Sequence, residues 1–318
     1  IFHSSLVSPF NRNSSILFIK KLKYKKWNNY WISSFNKTKY ILYGNIISCV
    51  SNVLFDYILI FGKFGFPKLG IVGNAIGSVL SLILGIVFYI IIIKKYKLIS
   101  KTKISLLKNA KEILKVSSPM ILQEFVESTI VVFMMNYILS QMGMLEVSIY
   151  NLLFSIINIA LMPMYAYSHA SLNIISEDIG AKNTIEIDKT IKSCVFRAIG
   201  FYLVICIVIL IFKNQIPMII TNNTDLISNS SKYMLIIITA NIMNIPSCIL
   251  KFSMQALGEE KVVFVYSSII SILSTFLIYI LACMLNGGLN SVYIGLMINY
   301  SILTVVLLKK FYVTKKSF

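Results

Sequence analysis

The chain has 318 residues, of which 57% are apolar and only 13% charged, and its mean hydropathy is +0.79; a soluble domain carries about 25% charged residues. The formal charge of +18 would suit a nucleic-acid binder, but its distribution along the chain assigns it to membrane topology instead. Two histidines, five scattered cysteines without CxxC or Cys/His spacing, and no Walker-type loop argue against a metal centre, a disulfide framework and a nucleotide-driven pump.

Residues 1–36 are polar, basic and aromatic and lack the run of about 20 apolar residues that crosses a bilayer. They read as a cytoplasmic or interfacial segment. Eight apolar runs follow and predict eight transmembrane helices: Tyr40–Phe61, Gly73–Ile93, Pro119–Leu139, Val147–Tyr167, Val195–Phe212, Tyr233–Leu250, Val262–Leu285 and Ser291–Leu308. With sides alternating at each span, 26 of the 30 Lys and Arg residues fall on one side, and only Lys63, Lys68, Lys213 and Lys232 on the other. Positive residues collect on the cytoplasmic side, so both termini are expected there, in a plasma-membrane protein with no nucleic-acid partner. The basic link Lys94–Lys115 reads as an interfacial helix.

The chain also matches itself weakly. Aligning Lys39 with Lys261 superposes Tyr57-Ile58-Leu59 on Tyr279-Ile280-Leu281, each copy being a helix, a Gly-bearing outer turn, a second helix and a basic exit. Residues 37–111 then form a two-helix first lobe and residues 112–318 a six-helix second lobe. If the lobes were equal, about four helices would precede Ile1, and the chain alone is expected to be inactive or poorly folded.

An intramembrane carboxylate is a functional-site hypothesis by default, and three fall inside the predicted spans: Asp56, Glu124 and Glu127. Asn52 and Asp56, four apart, share a helix face, and Asn45 with Ser48 or Cys49 extends that polar stripe. Glu127 lies deep in its span, where a carboxyl group can take a proton or release it and bind a cation. Glu124, one turn earlier, reads as a supporting or headgroup-facing acid. Tyr233–Leu250 offers Asn241 and Asn244 but no acid. Gly73 and Gly77 form a small-xxx-small packing pair, and Pro163 and Pro246 are expected to kink their helices. No nucleophile, base or metal cluster suggests an enzyme.

Four stretches resemble the multidrug and toxic compound extrusion (MATE) family, whose larger group also holds lipid-oligosaccharide flippases. They are Asn52–Gly62 with Gly65–Ser78, Ser118-Pro119 through Glu127, Met162-Pro163 through Asn183, and Ala256–Lys261. The resemblance implies an all-α integral membrane fold of two lobes around a cavity that opens to alternate sides. It implies exchange of a cationic, often aromatic, small molecule for H+ or Na+, with no other cofactor, by a protein expected to be a monomer. It also matches Asn52 and Asp56 to the first-lobe cation site, with Na+ a possible ligand of the pair, Ser78 to a hydroxyl on the next helix, and Glu127 to the second-lobe acid. A flippase would need cationic side chains to hold pyrophosphate. By these boundaries no Lys or Arg falls mid-span, which argues for cationic cargo.

Overall fold

In the computed structural model of the chain, residues 38–95, 106–180 and 186–315 are described. The interfacial segment expected over residues 1–36 lies outside them, as does the middle of the basic link. The chain divides into two compact units at Asn109–Ala110, and each is built differently.

The first unit is a helical hairpin of α1 (Thr38–Phe61) and α2 (Ile71–Lys95). Gly62, Gly65 and Gly70 take positive φ in the connection, and Phe64 joins them at φ 56°. The end of α1 is closed by Lys63 N–H donating to Ile58 C=O at 3.0 Å and Leu69 N–H to Leu59 C=O at 2.9 Å. The contact face of α2 is a stripe of small residues at four-residue spacing, Gly73, Gly77, Ser81 and Gly85, all buried. Without side chains in the way, backbones approach closely: a Cβ on Gly73 would stand 2.6 Å from the Leu59 carbonyl carbon and oxygen. The outer faces carry exposed Val53, Leu54, Ile71 and Ile86, the apolar surface that hydrocarbon covers.

The second unit opens within α3 (Leu106–Phe125), which runs through Pro119 into a π-helical turn, Val126–Val131, and continues as α4 (Val132–Met142). Gly143, at φ 122°, breaks the chain before α5 (Met144–Ala160). Helix α6 (Met162–Gly180) departs from α5 at 49°, the kink expected at Pro163. Then come α7 (Ile187–Ile211), a short α8 (Gln215–Ile220) and α9 (Thr224–Ile242). Asn223 caps α9, its side-chain oxygen accepting from Asp225 N at 2.9 Å and Leu226 N at 3.2 Å. Helix α10 (Asn244–Ala256) holds Pro246 in its first turn. The unit closes with α11 (Glu260–Tyr279), a π-helical turn at Ile280–Met284, and α12 (Gly288–Lys315).

Leu139, Leu153, Ile156, Met164, Ile175, Met234, Ile245 and Ile249 form the interior of this unit. Helix α10 packs on α6 and α12, and it meets α6 through small polar residues: Ser168 Oγ donates to Cys248 Sγ at 3.4 Å, and Ser253 Oγ to Ser171 Oγ at 3.3 Å. Phe133, Phe196, Ile211 and Ile219 point outward. An apolar exterior of this extent marks a surface that water does not cover.

Among the described residues, seven helices are long and apolar enough to cross a membrane, and the bent α5–α6 pair makes an eighth. These eight coincide with the eight predicted runs but several are longer: the fifth begins at Ile187, taking in Lys189 and Lys192, and the eighth runs from Gly288 to Thr314. The fourth span reaches Gly180. The sixth, predicted as Tyr233–Leu250, runs from Thr224 to Ala256, so Lys251, placed by the sequence reading on the cytoplasmic side, lies inside a span.

Candidate functional site

Each unit holds a polar cluster built around a candidate acid. In the first, the seam between α1 and α2 pairs polar groups of one helix with small residues of the other. Tyr89 O–H donates to Asn45 Oδ1 at 3.1 Å, Ser48 lies against Gly85, and Asn52 Nδ2 donates to Ser78 Oγ at 3.3 Å. Ser81 Oγ donates to the Ser78 carbonyl at 2.8 Å. Asp56 comes next, one turn beyond Asn52 and opposite Gly77. Its Oδ1 is buried and has no hydrogen-bond partner among the described residues. Asn52, Asp56 and Ser78 thus lie on one seam, as their spacing predicts; Cys49, offered as part of the stripe, is exposed.

Gly77 makes room for that carboxylate. A methyl there would run into Asp56 Oδ1 and press within 3.2 Å of the Asp56 backbone nitrogen. The nitrogen cannot rotate aside, so the helices must part. Gly77→Ala is expected to cost about 1–3 kcal/mol, the usual penalty of overpacking, read as a lower unfolding midpoint of the purified protein.

In the second unit the acids sit where α3 passes into its π-helical turn. A π-turn widens the helix by one residue and is frequent at functional sites; here it begins at Val126 and contains Glu127. Lys251 Nζ on α10 donates to both carboxylate oxygens of Glu127, to Oε2 at 2.8 Å and Oε1 at 3.1 Å. Gln123, four residues earlier on the same face, donates from Nε2 to Glu127 Oε1 at 3.2 Å. Gln255, four residues after Lys251, donates from Nε2 to Gln123 Oε1 at 3.2 Å. Gln123 and Gln255 are buried; the ion pair is less closed, its side chains 16% (Lys251) and 27% (Glu127) exposed. Glu124 is exposed and shares the electrostatic surroundings of Glu127, Lys251 and Tyr165.

Two expectations are corrected here. Glu127, expected deep in its span as an acid open to a proton or a cation, already holds an ammonium against both oxygens. The statement that no Lys falls mid-span fails at Lys251. Sequence reasoning missed Lys251, Gln123 and Gln255 as members of the site. A signal existed: Asn244, Ser247, Lys251 and Gln255 recur at spacings of three, four and four, the stripe of one face of a helix. The two asparagines noted on this span serve each other, Asn244 Nδ2 donating to Asn241 Oδ1 at 3.2 Å.

The MatE family model matches residues 119–280, just over half of the chain. A "Probable multidrug resistance protein NorM" of Thermotoga maritima is 28% identical over 182 residues, covering 56% of this chain and 39% of that protein. A protein of the same name from Bacillus thuringiensis is 22% identical over 294 residues, covering 90% of this chain and 65% of its own length. The chain therefore spans less than two thirds of either relative. The fold is similar to the crystal structure of the Vibrio cholerae MATE transporter VcmN in the bent form, with TM-score 0.70, 19% identity and coverage of 86% of this chain and 61% of that one. With its eight apolar spans and the match over both polar elements of its second unit, the chain is a multi-pass membrane protein that belongs to the MATE family.

Proposed function

We propose that this chain works in a secondary transporter that exports cationic, amphipathic small molecules in exchange for H+ or Na+ by alternating access. The observation that carries this reading is Asp56, an acid inside an apolar span whose Oδ1 is buried and has no partner among the described residues. Such a group is costly at bilayer depth, and a site that holds one monovalent cation at a time couples two fluxes by competition. Asn52 and Ser78 support Asp56 in this reading, and Glu127 and Glu124 are the acids of the second unit. The multidrug-resistance names of the relatives support efflux; the substrates of the whole protein are part of the proposal. So are a monomeric state, a plasma-membrane location and cytoplasmic termini.

Lys251 favours a second reading, a flippase for pyrophosphate-linked lipids, because it places a cation inside a span. Its charge, however, is matched by Glu127 at 2.8 Å, and Glu124 adds a further acid nearby. The local balance is negative, which suits cationic cargo.

Full-length protein in proteoliposomes, loaded with a fluorescent lipophilic cation, tests the first reading. The expected result is dye movement driven by an imposed Na+ or pH gradient opposite in direction. Movement that ignores both gradients, or binding of a pyrophosphate lipid without dye movement, refutes it.

A further inference from the structure

We infer that Lys251 is the ion-selectivity residue of the second unit: its ammonium fills the place beside Glu127 that a sodium ion would take. The inference rests on Glu127 being an ion-linked acid, as proposed above, and adds which ion it refuses. Both carboxylate oxygens receive Lys251 Nζ, at 2.8 and 3.1 Å, and the remaining bond to Oε1 comes from Gln123. A hard cation needs several oxygen ligands at once, and the groups held against this carboxylate, the Lys251 ammonium, the Gln123 amide and the Ser267 hydroxyl, all present donors to it. Sodium would have to evict the ammonium and leave it unpaired in a low-dielectric interior. Breaking a buried pair in that way lowers affinity on the order of a hundredfold.

The tether strengthens the exclusion. Lys251 cannot diffuse away, and the neighbouring turn of α10 is fixed by Gln255, which is 5% exposed and bonded to Gln123. Gln255 Oε1 is itself buried without a hydrogen-bond partner among the described residues. Once the ammonium is removed, the two oxygens of Glu127 are left open to a cation, and Gln255 carries a further open acceptor in the network that reaches Glu127 through Gln123. Lys251 therefore masks a sodium site rather than merely balancing a charge. Glu124 is exposed, and an exposed carboxylate keeps its water and holds sodium weakly. Of the three candidate acids, Asp56 is then the one left to answer sodium.

Thermal unfolding of the full-length protein in nanodiscs, in NaCl or in N-methylglucamine chloride of equal ionic strength, tests this. All variants carry Asp56→Asn, which silences the first unit. Asp56→Asn alone is expected to show the same midpoint in both salts, as is Asp56→Asn with Lys251→Arg. Adding Lys251→Met is expected to produce a sodium-dependent rise, with an apparent sodium affinity on the order of a hundredfold higher, and Glu127→Gln on top of it to abolish the rise. Lys251→Gln serves the same purpose if the Met variant does not fold. A sodium-dependent rise in Asp56→Asn alone that Glu127→Gln removes would overturn the inference, and so would a folded Lys251→Met or Lys251→Gln variant indifferent to sodium. None of these readouts requires transport, so failure of the exporter reading is scored separately in the dye assay.

Discussion

Asp56→Asn in the full-length protein is expected to lower ion-driven efflux of a lipophilic cation by about tenfold or more, equivalent to at least about 1.4 kcal/mol of lost coupling, without lowering stability. The substitution preserves the size of the side chain and removes its charge. The reason for expecting no loss of stability is the state of Oδ1, which is buried opposite Gly77 and accepts no hydrogen bond from the described residues. An acid that tied α1 to α2 would show a partner on α2; the bond across the seam is made by Asn52 and Ser78 instead. Burying an uncompensated polar atom is unfavourable, so neutralising it leaves the thermal midpoint unchanged or raises it. Asp56→Glu keeps the charge but drives a longer side chain toward Gly77, and is expected to give intermediate efflux with a lower midpoint. A fall in stability together with unchanged efflux in Asp56→Asn would identify the residue as structural.

Much of the architecture was legible because the bilayer imposes a length on every span. The eight apolar runs and the kink at Pro163 came from hydropathy and from proline chemistry, and both recur in the structure. The seam of the first unit was legible too, since Asn52 and Asp56 share a face by helical spacing alone. Its opposite wall was read only in part: Gly73 and Gly77 were recognised, but the stripe continues through Ser81 and Gly85. The π-helical turn at Val126–Val131 left no trace in the periodicity, because one extra residue per turn does not change which residues are apolar. Phe64 at φ 56° was equally invisible, since nothing local favours a non-glycine residue there.

The partner of Glu127 was lost for a different reason. A lysine lowers mean hydropathy enough to end a predicted span, and Leu250 was the last apolar residue before one. The polar stripe on α10 argues that the helix continues, but the meeting of Lys251 with a residue 124 positions earlier is a tertiary fact. Local sequence rules carry no information at that separation.

That meeting supports the second large effect. Glu127→Gln and Lys251→Met are each expected to destabilise the protein by about 2–3 kcal/mol, somewhat below the roughly 3–5 kcal/mol found when one partner of a sealed pair is removed. The discount follows from geometry, since the side chains of Lys251 and Glu127 keep 16% and 27% of their exposure. The double variant Glu127→Gln/Lys251→Met is expected to recover most of the loss, because an unpaired charge costs more than the pair contributes. Reversible unfolding in mixed micelles gives the four corners of the cycle, and a coupling of about 1–3 kcal/mol is the signature of direct contact. Affinity for a cationic cargo should split the single variants in opposite directions: Glu127→Gln leaves the Lys251 ammonium free to repel the cargo, whereas Lys251→Met leaves Glu127 free to attract it. Additive stabilities, or single variants that shift cargo affinity the same way, would mean that the contact between α10 and the π-helical turn is incidental to both folding and transport.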